Sequence, residues 1–235
     1  MELFQHTLFI NLDYRTDRLS HVKGELDKLG IQGERFHAVK MKAGNVGCTL
    51  SHIKCLDLAI ERGWDQVFIC EDDITFTNPA ILLESARKFV ESGISWDVLV
   101  IGGNNCPPYE EIGDFCARVH NIQTTTGYIV KKAYYQVLLT NFKEGLAKLM
   151  REPDKKKQYS IDIYWKNLQH TDQWFILKPL TVIQYYDFSD IEDKVVDYAP
   201  MMLDFEKKAL IEKLIREKQE EERKKISPFV MNFGV

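Results

Sequence analysis

Short apolar runs alternate with segments of helical periodicity along the first hundred residues of the chain. The runs at residues 7–12, 67–70 and 96–101 have the length and composition of buried strands. Between these runs, apolar residues recur at three- and four-residue intervals, which predicts amphipathic helices. A glycine follows each of these predicted helices, as is usual beyond a helix C-terminus: Gly30, Gly63 and Gly93. Asn78 and Pro79 are predicted to be the N-cap and the first residue of the third helix. The pattern predicts an α/β fold whose parallel or mixed sheet is covered by helices on both faces.

Clusters of glycine and polar residues predict where the loops lie. Residues 44–47 are predicted to form a loop before the second helix, which places Ser51 and His52 in the first turn of that helix. Residues 102–105 are predicted to close the third strand, and residues 123–125 to separate two further strands. These boundaries decide which polar side chains lie at the ends of elements, where ligands usually bind.

The composition changes near the C-terminus to that of a long charged helix, from about residue 204 to residue 225. Its second half, residues 216–225, has no apolar residue, which predicts a solvated helix projecting from the fold and held by ion pairs four residues apart. We therefore predict two domains, residues 1–200 and residues 201–235. Partner binding or homo-oligomerisation through the helix is left open.

Composition and charge exclude several classes of protein. With 235 residues, 45% hydrophobic and 28% charged, the chain has the composition of a globular protein with a full core. Its formal net charge of −4 gives no general attraction to nucleic acid or to an anionic membrane. No apolar run approaches the ~18 residues of a membrane span, and residues 1–14 lack the pattern of a signal peptide, so we expect a cytoplasmic protein.

The cysteine pattern favours neither disulfides nor zinc. The number of cysteines is odd, and no C-x-x-C pair occurs among them: Cys48, Cys55, Cys70, Cys106 and Cys116. This argues against a disulfide framework and against a zinc site. We expect most of them to be small core residues.

Three consecutive carboxylates, Glu71, Asp72 and Asp73, follow the apolar run at residues 67–70. Adjacent carboxylates repel each other by about 4 kcal/mol at ~4 Å and an effective dielectric of ~20, so a partly buried trio favours a bound cation. Oxygen ligands suit Mg²⁺ or Mn²⁺, which commonly hold substrate phosphates. The alternative is an acidic turn after a strand.

Other polar residues have both a functional and a plain structural interpretation. Arg15 and Arg18 follow the first strand, where open α/β sheets bind ligands, although both also fit a solvated helix start. Ser51 and His52 lie where free backbone N–H groups would contact an anion, although a histidine in a helix is more often packed or solvated. Asp162 begins a short helix after Ser160 and would equally serve as its cap.

Four separated stretches together resemble glycosyltransferase family 25, the group of bacterial lipooligosaccharide galactosyltransferases and collagen hydroxylysine galactosyltransferases. Residues 9–18 resemble its N-L-x-x-R-x-x-R loop, residues 47–52 its G-C-x-x-S-H helix start, and residues 71–73 its E-D-D motif. Ser160-Ile-Asp162, paired with residues 184–191, is similar to its downstream aspartate and its Q-x-x-x-x-S-D-I ending. The four stretches occur in the order found in the family.

The resemblance implies a GT-A fold, a Rossmann-like mixed sheet flanked by helices, with Mn²⁺ or Mg²⁺ bridging the diphosphate of a UDP-sugar. It implies that Asp73 and Glu71 ligate the metal and that Asp72 contacts the nucleotide. Whether Glu71 or Asp72 contacts the ribose or a metal-bound water is left open. It also implies inversion at the anomeric carbon, for which a carboxylate takes the proton of the acceptor hydroxyl. Asp162 is the first candidate for this base and Asp190 the second.

The resemblance also implies a set of nucleotide-binding residues: Asn11, Arg15, Arg18, Ser51, His52 and Ser189. The expected enzyme is a metal-dependent inverting glycosyltransferase that moves a hexose, with galactose or glucose favoured, from a UDP-sugar to a glycan or a hydroxylated protein side chain. The chain lacks the second domain and the secretory signals of the collagen enzymes, so we expect a compact enzyme of a bacterium or a virus-infected cell.

Two other functions remain open at the level of the sequence. A nucleotidyltransferase or sugar-nucleotide hydrolase also needs an acidic metal strand, but no glycine-rich phosphate loop occurs here. A catalytically inactive GT-A scaffold is the alternative that is not an enzyme, and the retention of all three acids speaks against it. A glycosidase is disfavoured because its two carboxylates need ~5–9 Å of separation.

Overall fold

The fold is that of a computed structural model, in which residues 2–189 and 191–230 are described. The α-helices are α1 (Thr16–Lys28), α2 (Gly44–Glu61), α3 (Pro79–Glu91), α4 (Tyr135–Arg151), α5 (Lys156–Tyr159), α6 (Ile161–Tyr164), α7 (Lys166–Gln169), α8 (Ala199–Leu203) and α9 (Lys208–Val230). The strands are β1 (Thr7–Asn11), β2 (Glu34–His37), β3 (Gln66–Glu71), β4 (Ile74–Phe76), β5 (Val98–Asn105), β6 (Tyr109–Glu111), β7 (Cys116–Val119), β8 (Ile122–Lys131), β9 (Trp174–Leu177), β10 (Val182–Gln184), β11 (Asp187–Ser189) and β12 (Lys194–Val196).

Within the described residues, eight strands form one mixed sheet in the order β2-β1-β3-β8-β5-β9-β7-β6. The pairs β1–β2, β1–β3 and β5–β9 are parallel, whereas β8 runs antiparallel to both β3 and β5. The remaining strands pair in two short two-stranded antiparallel sheets, β4 with β10 and β11 with β12. The predicted α/β class with a mixed, Rossmann-like sheet is confirmed.

The alternation of side chains along the central strands divides the core between the two faces of the sheet. In β1, Leu8 and Ile10 pack in the cluster that includes α2 and α4, whereas Phe9 packs in the cluster that includes α1 and α3. Successive side chains of a strand point to opposite faces, so a strand buried on both sides must be apolar at every position. This is why residues 67–70 read as a continuous apolar run.

Helix ends follow the predicted signals in α1, α2 and α3, and Gly63 and Gly93, beyond α2 and α3, have φ of +68° and +66°. Asn78 caps α3 by accepting a hydrogen bond at Oδ1 from the Ile81 backbone N–H, and Pro79 occupies the first helical position. Gly30, beyond α1, has a φ of +65°, a conformation that costs glycine little because it has no Cβ.

Three predicted boundaries are wrong. Helix α2 already begins at Gly44, so residues 44–47 are its first turn rather than a loop. Strand β5 continues through Asn105, and the predicted break at residues 123–125 lies inside β8. β5 and β8 pair with register shifts in this region, and Thr124 has a φ of 71°, so the polar residues mark an irregularity within paired strands.

The chain divides into two compact units, Met1–Phe205 and Glu206–Val235. The second unit contains α9, in which Lys213 pairs with Glu217 at 3.8 Å and Glu212 with Arg216 at 3.6 Å. Pairs at this spacing are those expected for a solvated charged helix. The division predicted from the sequence, residues 1–200 and 201–235, stays a prediction. None of the helices in the described part of the chain combines the length and apolar character needed to cross a membrane.

Candidate active site

The candidate site lies at the carboxyl ends of two neighbouring parallel strands. Asn11 ends β1 and Glu71 ends β3, and the two strands are paired in register with Ile10 opposite Glu71. The segments that follow carry Arg18 on the β1 side and Asp72 on the β3 side. Carboxyl ends of parallel strands form the usual ligand-binding edge of an open α/β sheet.

Two cavities meet at this edge. The smaller, of about 220 Å³, is lined by Arg18, Asp72 and Asp73 among others. The larger, of about 590 Å³, is lined by Thr124 and Asp162 among others. The cavities share five lining residues, so they form one continuous cleft: Cys48, Glu71, Gln184, Ser189 and Ile191.

Asp72 is held on both of its carboxylate oxygens. Asn11 donates to Oδ2 from Nδ2 at 2.6 Å, and Arg18 donates to Oδ1 from Nη1 at 3.2 Å. Burial raises the pKa of Asp72 above its ordinary value, and the bonds from Asn11 and Arg18 oppose that rise only in part. Asp72 therefore ties the β1 loop to the β3 loop.

Asp73 has the weakest hydrogen bonding of the three acids. Its Oδ2 accepts long hydrogen bonds from Arg18 at 3.4 Å and from Gln184 at 3.5 Å, and its buried Oδ1 finds no hydrogen-bond partner among the described residues. Burial and the charge of Glu71 raise the pKa of Asp73 to about 8. A buried carboxylate oxygen without a donor is what a divalent cation satisfies, so the donor set fits Mg²⁺ or Mn²⁺.

Glu71 is hydrogen-bonded by residues of α2 and β8, whereas Asp72 is hydrogen-bonded by Asn11 and Arg18. Its Oε1 accepts from Thr125 Oγ1 at 2.5 Å, lies 3.2 Å from His52 Nε2, and accepts a weaker bond from Cys48 Sγ at 3.7 Å. Burial raises the pKa of Glu71, but the interactions with His52 and Thr125 outweigh it and leave that pKa below its ordinary value. Glu71 and Asp73, two residues apart, therefore have opposite shifts.

The two arginines predicted to bind the nucleotide, Arg15 and Arg18, differ in their position relative to the cleft. Arg18 lines the cleft, donating also to Asp187 Oδ2 at 3.1 Å and to the Phe188 carbonyl at 2.9 Å. Burial lowers the pKa of Arg18, but the charges of Asp73 and Asp72 outweigh it and keep the guanidinium protonated. Arg15 pairs with Asp17 and Asp187 and is not among the residues that line the cleft. Arg18 is thus the one of the pair that a ligand in the cleft would meet.

Ser51 and His52 are not at a helix start, as predicted, but roughly two turns into α2. Ser51 Oγ donates to the Gly47 carbonyl and accepts from the Val39 backbone N–H, both at 2.8 Å. Both side chains are buried and line the smaller cavity. Ser51 and His52 would therefore contact a ligand through side-chain atoms. They cannot offer the free backbone N–H groups of a helix start, because the first turn of α2 consists of other residues.

The first candidate base, Asp162, lies in the larger cavity. Its Oδ2 accepts a hydrogen bond at 3.1 Å from the Thr124 backbone N–H in β8, and Ser160, which precedes α6, makes no side-chain cap bond. Burial raises the pKa of Asp162, and the charge of Glu71 raises it further, while the Thr124 N–H opposes both. The second candidate, Asp190, lies outside the described residues.

Sequence reasoning missed several residues that shape the cleft. Thr124 and Thr125 were placed in a turn, yet they hold Asp162 and Glu71 from within β8. The signal available was a run of three threonines in a segment otherwise typical of a strand. The sequence predicts only that most of the cysteines are core residues, and it does not single out Cys48, which lines both cavities.

Comparison with known proteins gives one family. Residues 40–94 match the model described as Glycosyltransferase family 25 (LPS biosynthesis protein), a segment that includes the G-C-x-x-S-H and E-D-D stretches. A glycosyltransferase 25 family member of Anopheles gambiae is 24% identical over 197 residues, which cover 68% of this chain and 31% of that protein. A Haemophilus influenzae protein, named as a presumed glycosyltransferase, is 31% identical over 120 residues, which cover 41% of this chain and 40% of that protein.

These matches span less than half the length of either relative. Among solved structures, A197 from STIV aligns over 81% of this chain and 93% of its own, with a TM-score of 0.47 and 16% identity. That score is too low to carry an argument about activity. The family match and the two relatives confirm the resemblance predicted from the motifs: this chain is similar, at low sequence identity, to members of glycosyltransferase family 25.

Proposed function

We propose that this chain is a metal-dependent inverting glycosyltransferase that transfers a hexose from a UDP-sugar, with galactose or glucose as the favoured sugar. The observation that carries the proposal is Asp73, whose buried Oδ1 has no hydrogen-bond partner among the described residues at a ligand-binding edge of the sheet. The match of residues 40–94 to the family model supports the same function. The acceptor would be a glycan or a hydroxylated protein side chain.

Asp73 and Glu71 would hold Mn²⁺ or Mg²⁺ through carboxylate oxygens. Both line the smaller cavity, and their oxygens are the ligand type that hard cations prefer. When bound, such an ion would offset the negative charge that develops on the departing diphosphate. Asp72 is a weaker candidate for a ligand because both of its oxygens already accept hydrogen bonds from the protein.

Arg18 would bind the diphosphate of the donor. Its guanidinium lies beside Asp72, Asp73 and Asp187 and lines the cleft, so its charge is held in place before a donor arrives. A positioned cation of this kind stabilises a phosphate group without reorganisation at the moment of reaction. Asn11 would act through Asp72, by fixing the loop on which the acids lie.

Asp162 would take the proton from the attacking hydroxyl of the acceptor. It lies in the larger cavity, whereas Asp72 and Asp73 line the smaller one, and Glu71 lines both. This separation supports a donor on the Asp73 side and an acceptor on the Asp162 side, as inversion requires attack from the face opposite the leaving group. The raised pKa of Asp162 makes its carboxylate a stronger base than an exposed aspartate.

The test is release of UDP from a panel of UDP-hexoses in the presence of Mn²⁺, with and without a chelator. We expect Asp73→Asn to abolish the metal-dependent release and the matched control Asp65→Asn, at a side chain that is 97% exposed, to retain it. Full activity in Asp73→Asn would contradict the metal assignment. UDP binding without turnover on any sugar would favour an inactive scaffold, and release of a sugar phosphate would favour a hydrolase.

A further inference from the structure

A second group of potential metal ligands lies on the wall of the cleft. Cys48 and His52 are four residues apart on α2 and so share one face of that helix, and Glu71 ends the neighbouring strand β3. The ligand atoms of the three side chains all lie within 4.8 Å of one another. The cysteines have no spacing typical of a zinc motif in the sequence, but the fold brings Cys48 and His52 of α2 together with Glu71 of β3.

Two of the three separations between these atoms match the edges of a zinc coordination tetrahedron. Zinc bonds of ~2.3 Å to sulfur and ~2.1 Å to nitrogen and oxygen, at tetrahedral angles, place nitrogen ~3.4 Å and sulfur ~3.6 Å from the oxygen. The observed distances to Glu71 Oε1 are 3.2 Å from His52 Nε2 and 3.7 Å from Cys48 Sγ. The third separation, between Cys48 and His52, is at most 4.8 Å, so binding an ion would require at most a rotation of these two side chains toward each other.

The orientation of His52 is set by its other ring nitrogen. His52 Nδ1 lies 3.0 Å from the Tyr128 hydroxyl, both side chains are fully buried, and the two rings are stacked with centroids 5.7 Å apart. A histidine that binds a metal is almost always held in this way through its second nitrogen. Nε2 is thereby held toward Glu71.

An ion at this position could be reached from the cleft. Cys48 and Glu71 line both cavities, and His52 lines the smaller one. Three protein ligands with a fourth position open to the cleft is the arrangement of accessible zinc sites rather than of closed structural ones. A thiolate among the ligands favours Zn²⁺ over Mg²⁺ or Mn²⁺.

We propose that Cys48, His52 and Glu71 form a binding site for one Zn²⁺ ion. Glu71 Oε1 would bind this ion, which would leave only the other Glu71 oxygen for the hard cation at Asp73 and place a second divalent charge beside it, so zinc would inhibit the transferase by weakening its metal binding. The inhibition rests on the proposed function, whereas the binding of zinc does not.

The binding is tested on the purified, reduced, metal-free full chain by titration with Co²⁺, followed by displacement with Zn²⁺. We expect one equivalent of Co²⁺ to produce a thiolate-to-cobalt charge-transfer band. Cys48→Ser should abolish the band and weaken Zn²⁺ binding on the order of 100-fold or more, since it removes a direct ligand. The matched control is Cys106→Ser, at a half-buried cysteine that does not line the cleft, and it should behave as the unmodified chain.

The absence of the band in the unmodified chain, or an equal band in Cys48→Ser, would overturn the proposal. Thermal unfolding without metal shows whether Cys48→Ser is folded, and Cys48→Ala serves in its place if it is not. In the activity assay, Zn²⁺ should raise the Mn²⁺ concentration needed for UDP release in the unmodified chain and in Cys106→Ser but not in Cys48→Ser. Failure of the proposed function would remove this second readout and leave the cobalt band unaffected.

Discussion

At the scale of single residues, three consecutive carboxylates have three different environments. Asp72 is bonded on both oxygens, Glu71 is bonded from the α2 and β8 side, and Asp73 keeps one buried oxygen without a partner among the described residues. Burial raises the pKa of Asp72 and Asp73, whereas the donors around Glu71 outweigh burial and lower its pKa. Neighbours rather than residue type decide which acid is left for a cation.

The role proposed for Asp162 as general base predicts a pH profile. Because burial raises its pKa and a base must be unprotonated, kcat/KM should fall as the pH drops through a value above the ordinary aspartate pKa of ~3.9. Asp162→Asn should lower kcat by roughly 10²- to 10⁴-fold and remove this acid limb, while leaving UDP binding intact. Asp154→Asn, at an exposed residue in the preceding loop, is the control. An unchanged profile in Asp162→Asn would transfer the role of base to another residue.

Asn11 is predicted to matter for stability through Asp72. Asn11→Ala removes a 2.6 Å hydrogen bond to a buried carboxylate and a 3.0 Å bond to the Arg15 carbonyl, and loss of a partner to a buried group costs about 1–3 kcal/mol of unfolding free energy. Denaturant unfolding measures the loss. Asn121→Ala, which removes a 3.4 Å bond at an exposed site, should change stability by no more than about 0.5 kcal/mol. Equal effects of the two substitutions would show that Asp72 does not depend on Asn11.

At the scale of elements, the start of α2 decides where Ser51 and His52 lie. A Cβ on Gly47 would approach the Val39 carbonyl oxygen to 2.4 Å, so this helix packs closely against the preceding backbone only because residue 47 is glycine. The same glycine predicted a loop from the sequence. The close approach also brings Val39 N–H within hydrogen-bonding distance of Ser51.

Two glycine substitutions in helices should therefore have opposite effects. Gly47→Ala should destabilise the fold by about 1–3 kcal/mol, because the backbone around Val39 must shift to admit the methyl group. Gly24→Ala, in α1 with nothing within 4 Å of the added Cβ, should stabilise it by about 1 kcal/mol. Denaturant unfolding of both variants checks the prediction. Stabilisation by Gly47→Ala would mean that the contact with Val39 is not required.

The irregular pairing of β5 and β8 is the other element that shapes the site. Register shifts near Gly102 and the positive φ of Thr124 turn backbone and side-chain donors of β8 toward the cleft. As a result, the Thr124 N–H bonds Asp162 and the Thr125 hydroxyl bonds Glu71.

At the scale of the whole molecule, ligand binding should stabilise the fold. UDP with Mn²⁺ at about 100 times the dissociation constant should add about 2.7 kcal/mol, which corresponds to a rise in Tm of roughly 5–10 °C for a chain of this size. Asp73→Asn should lose the part of the rise that depends on Mn²⁺. Thermal unfolding with UDP alone, Mn²⁺ alone and both together separates the contributions. If Tm is unchanged under all three conditions, the proposals that this chain binds a UDP-sugar donor and a metal ion are both contradicted.

The sequence by itself determined the α/β class, the buried central strands, the cap of α3 and the family resemblance. These follow from local patterns: apolar runs, helical periodicity, turn residues and short motifs at fixed spacing. Only the tertiary structure decided that Gly47 lies inside a helix, that Thr125 bonds Glu71, and that Cys48 and His52 meet Glu71 on the cleft wall. Such contacts join residues far apart in the chain, and their energies depend on burial and on neighbours that no local pattern contains.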